Sequence, residues 1–291
     1  NIFEGKKILV ERINVLGNNI TNESVIRGEL LLDEGDPFTN LNLEKSIAKI
    51  RSRNIFSSVK YKVSSGSSED LKLIDIEVEE QATGELSAGA GVGTNGGNIG
   101  LSVKENNWLG KGHRLSFNVD ASAESLSGSL NYTNPNYDFL GNALNYSISS
   151  TKNDKPDQGY ENSIVSLGIG TTFEQYKDLF TTLGLNASYD DLQTDSSASS
   201  NLIKQSGTYE ELSANYGFTY DKRDRAFMPT DGTILGFDQS FPIYADKSFI
   251  GNTLFLSSYK TISENVIGAG KLYFTSVNGI GNDDVRLSKR R

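Results

Sequence analysis

From about Gly84 onward, apolar and polar residues alternate one by one, and no stretch of helical period interrupts them. That period commits the region to β-strands, because only a strand sends successive side chains to opposite faces. Leu115, Phe117, Val119 and Ala121 alternate with Ser116, Asn118 and Asp120. Leu144, Tyr146 and Ile148 alternate with Asn145, Ser147 and Ser149, and Leu183, Leu185, Ala187 and Tyr189 with Thr182, Gly184, Asn186 and Ser188. The clearest run sets Leu212, Ala214, Tyr216, Phe218 and Tyr220 against Ser213, Asn215, Gly217 and Thr219. The pattern predicts about eleven strands of roughly ten residues, a length that crosses a bilayer when tilted.

Two architectures use such strands. A soluble sandwich turns the apolar stripe inward; a membrane barrel turns it to lipid and lines its lumen with the polar stripe. The polar stripe here is Ser, Asn, Thr and Gly rather than Lys and Glu, which suits a wet lumen. Tyr132, Tyr137, Phe139, Tyr160, Phe173, Tyr176 and Phe180 gather near strand ends, as in interfacial girdles. The successive strands are long and antiparallel. These features favour an antiparallel transmembrane β-barrel over residues 82–291. The negative mean hydropathy does not oppose this, since only every second side chain would meet lipid.

Residues 1–81 follow a different rule. Lys7–Asn14 alternates as a strand and ends at the turn Gly17-Asn18-Asn19. Thr21 stands where an N-cap would, ahead of Val25, Ile26, Leu30 and Leu31 at helical spacing, and Gly35-Asp36-Pro37 would end that helix. A second helix is expected near Leu41–Asn54, with Leu43, Ile47 and Ile50 on one face. Ser57–Val63 and Leu71–Glu80 then alternate as strands around the polar loop Ser64–Asp70. The order is β-α-α-β-β, an α+β domain. The opening Asn1-Ile2-Phe3-Glu4-Gly5-Lys6-Lys7 lacks the apolar core of a signal peptide, so either one was removed or the chain begins within a longer protein.

Connection lengths suggest sidedness. Counting from the N-terminal domain, connections after odd barrel strands fall on the far side: Thr94–Gly97, Ala123–Ser125, Lys152–Tyr160, Asp190–Gly207 and Tyr244–Lys247. Those after even strands fall on the near side: Asn106–Gly112, Asn134–Asn142, Glu174–Asp178, Lys222–Gly232 and Ser263–Asn265. The longest polar connection, containing Thr194–Ser200, is on the far side, as outer-membrane barrels arrange it, so the N-terminal domain is expected in the periplasm.

Chemistry-bearing motifs are few. A net charge of −9 argues against nucleic acid as a partner, and the absence of cysteine excludes disulfides and thiolate metal sites. The single histidine, His113, has Lys111, Gly112 and Arg114 beside it and no nucleophile, and no Gly-x-Ser-x-Gly elbow occurs, so a hydrolase is disfavoured. The glycines of Gly89–Gly100 lack the Gly-Lys-Ser/Thr and the helix of a phosphate loop. Asp221, Asp224 and Asp231 could form a carboxylate cluster for a metal. Lys222, Arg223 and Arg225 interleave with them, however, and Pro229-Thr230-Asp231-Gly232 has the chemistry of a turn. No catalytic, cofactor-binding or metal-binding residue is assigned. Asn107-Trp108-Leu109-Gly110 holds the only tryptophan, at a near-side turn.

Taken together, these segments resemble a known family. The β-α-α-β-β unit is similar to a POTRA domain, through Val10–Asn18 and Arg53–Val59. Asn106–Gly112, Tyr132–Pro135, Asn215–Tyr220, and Asp224-Arg225 through Pro229–Gly232 then follow in the order and spacing of the POTRA-plus-barrel outer-membrane assembly factors. The resemblance covers essentially the whole chain. It implies a last POTRA domain followed by the first eleven or so of about sixteen barrel strands. The closing strand, the Arg-Gly-Phe-type loop and the earlier POTRA domains would lie outside it; Arg286, followed by Leu287-Ser288, is not the arginine of that loop.

The resemblance further implies a non-enzymatic insertase that folds outer-membrane proteins. Its partners would be unfolded outer-membrane proteins, accessory lipoproteins and outer-membrane lipid. The first barrel strand would be a lateral seam, here Leu86, Ser87, Ala88, Gly89, Ala90, Gly91 and Val92, whose interior glycines weaken strand pairing. Equally, those glycines could simply accommodate barrel curvature. The POTRA edge at Val59, Lys60, Tyr61, Lys62 and Val63 would bind extended clients or the lipoproteins. The competing reading from the same parts is a two-partner secretion transporter that exports one dedicated partner.

Overall fold

A computed structural model of the chain describes residues 7–93, 96–138, 140–225, 228–264, 266–281 and 283–290. Phe139 of the expected girdle, Thr94 and Asn95 of the first far-side turn, Asn265 of the last near-side turn, residues 1–6 and Arg291 lie outside that set. Two compact units result: Asn1–Leu86 with Val103–Ser116, and Ser87–Ser102 with Phe117–Arg291.

In the first unit, β1 (Leu9–Leu16), α1 (Glu23–Arg27), α2 (Asn40–Ser52), β2 (Phe56–Ser65) and β3 (Leu71–Glu80) follow in the expected order. The sheet order is β1-β3-β2; β1 pairs with β3 in parallel and β2 pairs with β3 antiparallel. Burial follows period. Leu43, Ile47 and Ile50 of α2 share one core with Ile74, Ile76 and Val78 of β3, joined by Val10, Ile13, Ile26 and Val59. All are at most 4% exposed.

The first helix departs from expectation twice. It ends at Arg27, capped by Gly28, and Leu31 is exposed while Leu32 enters the core. Helix growth stops because the Leu31 amide donates to Ser46 Oγ at 2.8 Å, which draws the chain onto α2. Nor is Thr21 the N-cap. Asn22 occupies that position with extended backbone, while the Thr21 hydroxyl is engaged with Glu80 and Asn107.

The second sheet has eleven antiparallel strands: β4 (Gly84–Gly93), β5 (Gly96–Trp108), β6 (His113–Ser122), β7 (Ser125–Asn134), β8 (Ala143–Lys155), β9 (Tyr160–Tyr176), β10 (Leu179–Thr194), β11 (Gly207–Asp221), β12 (Gly232–Ala245), β13 (Phe249–Ser263) and β14 (Val266–Gly279). They pair in sequence order from β4 to β14, and the two end strands are not joined to each other, so the sheet is a partial barrel. Cross-strand register lines up the apolar residues: Leu130 faces Ile148, Ile148 faces Leu167, and Tyr146 faces Ile169, which faces Leu185. These side chains are 39–54% exposed. The opposite face carries Asn145, Gly170, Gly184, Asn215 and Ser240 in one row.

Strands in the middle of the sheet are longer than the ten residues expected; β9 has 17 and β10 has 16. The connection expected as a polar loop over Asp190–Gly207 is accordingly shorter and partly folded. Pairing continues to Thr194 opposite Tyr160, and α3 (Ser200–Ile203) forms behind a Ser199 cap. Leu192 and Ala198 supply the missing apolar signal, being 4% and 8% exposed.

Candidate functional site

The sequence-derived seam residues all fall on β4, which among the described residues has a partner strand on one side only. A strand so placed leaves alternate N–H and C=O groups without ladder bonds on its outer side. Leu86 and Val92 are 78% and 93% exposed. A methyl added at Gly89 meets nothing within 4 Å, whereas at Gly91 it would lie 2.7 Å from Asn98 Oδ1. Gly91 thus lets a polar side chain of β5 lie close to the backbone, and Gly89 contributes flexibility without a packing reason. At the other end of the sheet, β14 exposes Leu272, Tyr273 and Phe274 in succession.

The second expected edge, Val59–Val63, lies on β2, an outer strand of the three-stranded sheet. Val59 is buried in the core, and Lys60, Tyr61 and Lys62 are exposed. The Val59 carbonyl already accepts from Arg51 Nη2 at 2.7 Å, so an added strand could not use that oxygen freely.

The turn holding Asn107, Trp108, Leu109 and Gly110 is built into the first unit by hydrogen bonds. Asn107 Nδ2 donates to Thr21 Oγ1 at 2.8 Å, and Asn107 Oδ1 accepts from the Gly112 amide at 2.8 Å. The Asn22 amide donates to the Gly110 carbonyl, also at 2.8 Å. Arg53 Nη2 donates to the Gly112 carbonyl at 2.8 Å. Gly110 has φ +69°, and a Cβ there would collide with the Ile20 carbonyl oxygen, so this position requires glycine. Beneath this contact, Glu80 accepts the amides of Asn19, Ile20 and Thr21. Burial opposes the charge on Glu80, but the Thr21 hydroxyl and those amides outweigh it and hold the carboxyl below its ordinary range. Trp108 itself is 40% exposed.

The charged connection after β11 is organised by Asp224. Its carboxylate accepts the Thr230 hydroxyl at 2.6 Å and the amides of Thr230 and Asp231 at 3.0 and 3.2 Å. The Thr230 bonds foremost lower its pKa to about 2. Arg225 Nε donates to the Met228 carbonyl, and Asp231 pairs with Lys260 at 2.7 Å. Gly232, at φ +99°, packs against the Lys222 carbonyl where a Cβ would clash. The carboxylate weighed as a metal ligand is thus engaged in shaping the turn. Among the described residues, no group of three or more Asp, Glu or His side chains is arranged to hold a metal.

One cluster has no counterpart among the sequence-derived residues. Asp190 and Glu211, on neighbouring strands β10 and β11, are 3% and 4% exposed at their side chains, and Arg286 lies between them. Its neighbours in sequence, Asp284-Val285 and Leu287-Ser288, give no local sign of burial.

Three comparisons bear on this architecture. A family model described as the Omp85 superfamily domain matches residues 107–290, and a POTRA model, described as a surface antigen variable number repeat, matches residues 8–81. A curated relative, outer membrane protein assembly factor BamA of Neorickettsia risticii, is 25% identical over 293 residues. That match covers 96% of this chain and 39% of the relative, so the chain spans about two-fifths of that protein's length. Among solved structures, BamA from Haemophilus ducreyi lacking POTRA domains 1–3 superposes with a TM-score of 0.76 at 19% identity, covering 97% of this chain and 57% of that one. CdiB from Acinetobacter baumannii superposes with a TM-score of 0.60 at 11% identity, covering 94% and 53%.

Proposed function

Because the chain belongs to the Omp85 superfamily, with its barrel strands in the outer membrane and its POTRA domain in the periplasm, we propose that it acts in the assembly of outer-membrane β-barrel proteins, with β4 as the templating edge. The observation that carries this reading is the make-up of β4, in which four of ten residues, Gly84, Gly89, Gly91 and Gly93, are glycine and Leu86 and Val92 are 78% and 93% exposed. In hydrocarbon an unpaired strand edge is expensive, because lipid offers no hydrogen bonds. An incoming strand that pairs with β4 satisfies its own backbone and that of β4 in one step, by β-augmentation. Glycines weaken the resting pairing by about 0.5–1 kcal/mol each, which lets a client compete for the edge.

The work asked of the protein is geometric and needs no bond-making chemistry. The apolar outer face meets lipid, and the edge presents register and direction to the client. The β2 edge of the POTRA domain, from Lys60 to Val63, is a second place for an extended client or an accessory lipoprotein to add a strand in the periplasm. Its exposed Lys60 and Lys62 suit acidic segments.

The test is a site-specific crosslinking scan from positions 86–92 to a stalled client in the full-length protein. Adducts that recur with the two-residue period of a strand support the template, and their absence removes it. Depletion separates the transporter reading: broad loss of outer-membrane proteins follows from an assembly role, and loss of a single secreted protein follows from dedicated export.

A further inference from the structure

After β14 the chain turns at Gly279–Gly281, and residues 283–290 lie against the polar face of the strands before it. The Asp283 carboxylate accepts the Ser248 amide at 2.9 Å and Lys247 Nζ at 3.1 Å, which tethers the turn to the β12–β13 connection. Arg286 then enters the wall at 3% exposure. Its Nη1 lies 3.1 Å from Asp190 Oδ2, its Nη2 lies 3.2 Å from Glu211 Oε2, and its guanidinium stacks 4.6 Å above the Tyr209 ring. Around it, Asn162 Nδ2 donates to Asp190 Oδ1 at 2.6 Å, and the Ser288 hydroxyl also donates to Asp190. Lys289 reaches Glu211 at 3.0 Å and lies over the Phe249 ring. The Leu287 amide donates to Gln205 Oε1 at 3.1 Å.

Two carboxylates buried side by side on adjacent strands are costly unless a cation meets both. Here two acids face two bases, and the bases come from eight residues of one segment. The register places Asp190 opposite Tyr209 and Ser188 opposite Glu211, on the same face as Asn186 and Ser213. That face lines a polar cavity of about 430 Å³ to which Ser288 and Lys289 also contribute.

We propose that residues 283–290 form an internal strap, keyed into the inner wall by Arg286, and that Asp190 and Glu211 are its dedicated socket. Arg286 is not the arginine of the Arg-Gly-Phe-type motif of the family resemblance, since Leu287-Ser288 follow it. The strap clamps β10 to β11 at the end where their connection emerges, and it fixes the path by which the chain leaves β14. It is a positioning device, and it stands whether the protein assembles clients or exports one. A guanidinium is required because only a planar fork meets two carboxylates on different strands while stacking on a ring.

The experiment uses the full-length protein in its membrane, with Leu287→Cys as a reporter and a membrane-impermeant maleimide as the probe. Labelling is slow with the socket intact. It accelerates at least tenfold with Arg286→Met or with Asp190→Asn/Glu211→Gln, and to an intermediate degree with Arg286→Lys, which can satisfy only one carboxylate at a time. Unchanged labelling in Arg286→Met overturns the proposal. Should that variant give no heat-modifiable folded band, the charge-neutral triple Arg286→Met/Asp190→Asn/Glu211→Gln decides. A folded barrel with a released reporter supports the strap, and a folded barrel with a protected reporter overturns it. Independently of any variant, hydrogen exchange on the unmodified protein must show a protected Leu287 amide; a fully exchanging one overturns the proposal.

Discussion

The two sheets use the same alphabet in opposite directions. In β3, Ile74 and Ile76 are fully buried while their neighbours are Asp75 and Glu77. In β10, Leu183 and Leu185 are both 46% exposed while their neighbours are Gly184 and Asn186. Both strands alternate with period two, so the period alone does not say which face meets water. The polar partners decide it. Charged side chains need bulk water, and in the POTRA sheet they take the outside. Small neutral side chains satisfy one another across strands. Ser102 donates to Asn118, which donates to Ser129; Thr133 donates to Asn145; Thr172 and Thr182 share a bond. A face that can be satisfied this way is free to turn inward and leave the leucines to lipid.

The sharpest way to break the comparison is to make the same truncation in both regions. Ile76→Ala opens a cavity in a packed core and is expected to cost about 2–5 kcal/mol. Leu185→Ala removes a similar volume from a surface where fluid acyl chains fill the gap, so only the transfer of the lost methylenes is forfeited, about 1–2 kcal/mol. Reversible urea unfolding of the protein from lipid vesicles, followed separately in the two units, measures both. Equal losses at the two positions would mean that Leu185 is packed against protein and not lipid.

Next in size is the turn that the contact pattern assigns to the POTRA unit. Asn107→Ala strands the Gly112 amide and one bond of Thr21 in a buried place, for about 1–3 kcal/mol. Gly110→Ala adds both a clash with Ile20 and a strained φ, whereas Gly141→Ala, also at positive φ but with nothing within 4 Å, carries the strain alone. Hydrogen exchange of the Asn22 amide, which donates to Gly110, should rise in the first two variants and stay unchanged in the third.

Most of this architecture was legible in residue order, and what was not has a common cause. The eleven strands, the outward stripe and the inward face of α2 are all periodic, and periodicity is a local property. The length of α1 was not legible, because Ser46, fifteen residues on, captures the Leu31 amide. Thr21 was misassigned as a cap because its partner Asn107 is 86 residues away. The Arg286 socket draws on partners 75 and 96 residues distant, from strands whose Asp and Glu look like solvated charges in a polar run. A usable signal was nonetheless present. Asp190 and Glu211 each stand on the stripe that otherwise holds Asn186, Ser188, Ser213 and Asn215, and a full charge on a neutral stripe calls for a partner.

A smaller effect, with a definite sign, comes from Glu80. Its folded pKa lies below its unfolded value, so its contribution is complete above the unfolded value and is lost as pH falls through the folded one. Stability of the POTRA unit should therefore drop as pH falls below about 4–5, and Glu80→Gln should flatten that part of the profile. The barrel strands should show no matching change in Glu80→Gln. Parallel loss in both units of the wild type, undiminished in Glu80→Gln, would assign the acid response elsewhere.

The smallest expected effect concerns the exposed ion pair between Lys152 of β8 and Glu161 of β9, 2.8 Å apart with side chains 51% and 37% exposed. It spans the same two strands as the apolar pair Ile148–Leu167, and it sits where water competes for both charges. Lys152→Ala should change stability by no more than about 0.5 kcal/mol, with any effect shrinking in high salt. The contrast with the buried Arg286 cluster is one of burial and not of charge number. A surface pair can exchange its partner for water at little cost, whereas a buried carboxylate cannot. If Lys152→Ala proved as damaging as Arg286→Met, residues 152 and 161 would have to be covered in the membrane by something outside this chain, and the far rim of the barrel would then not be a wet surface.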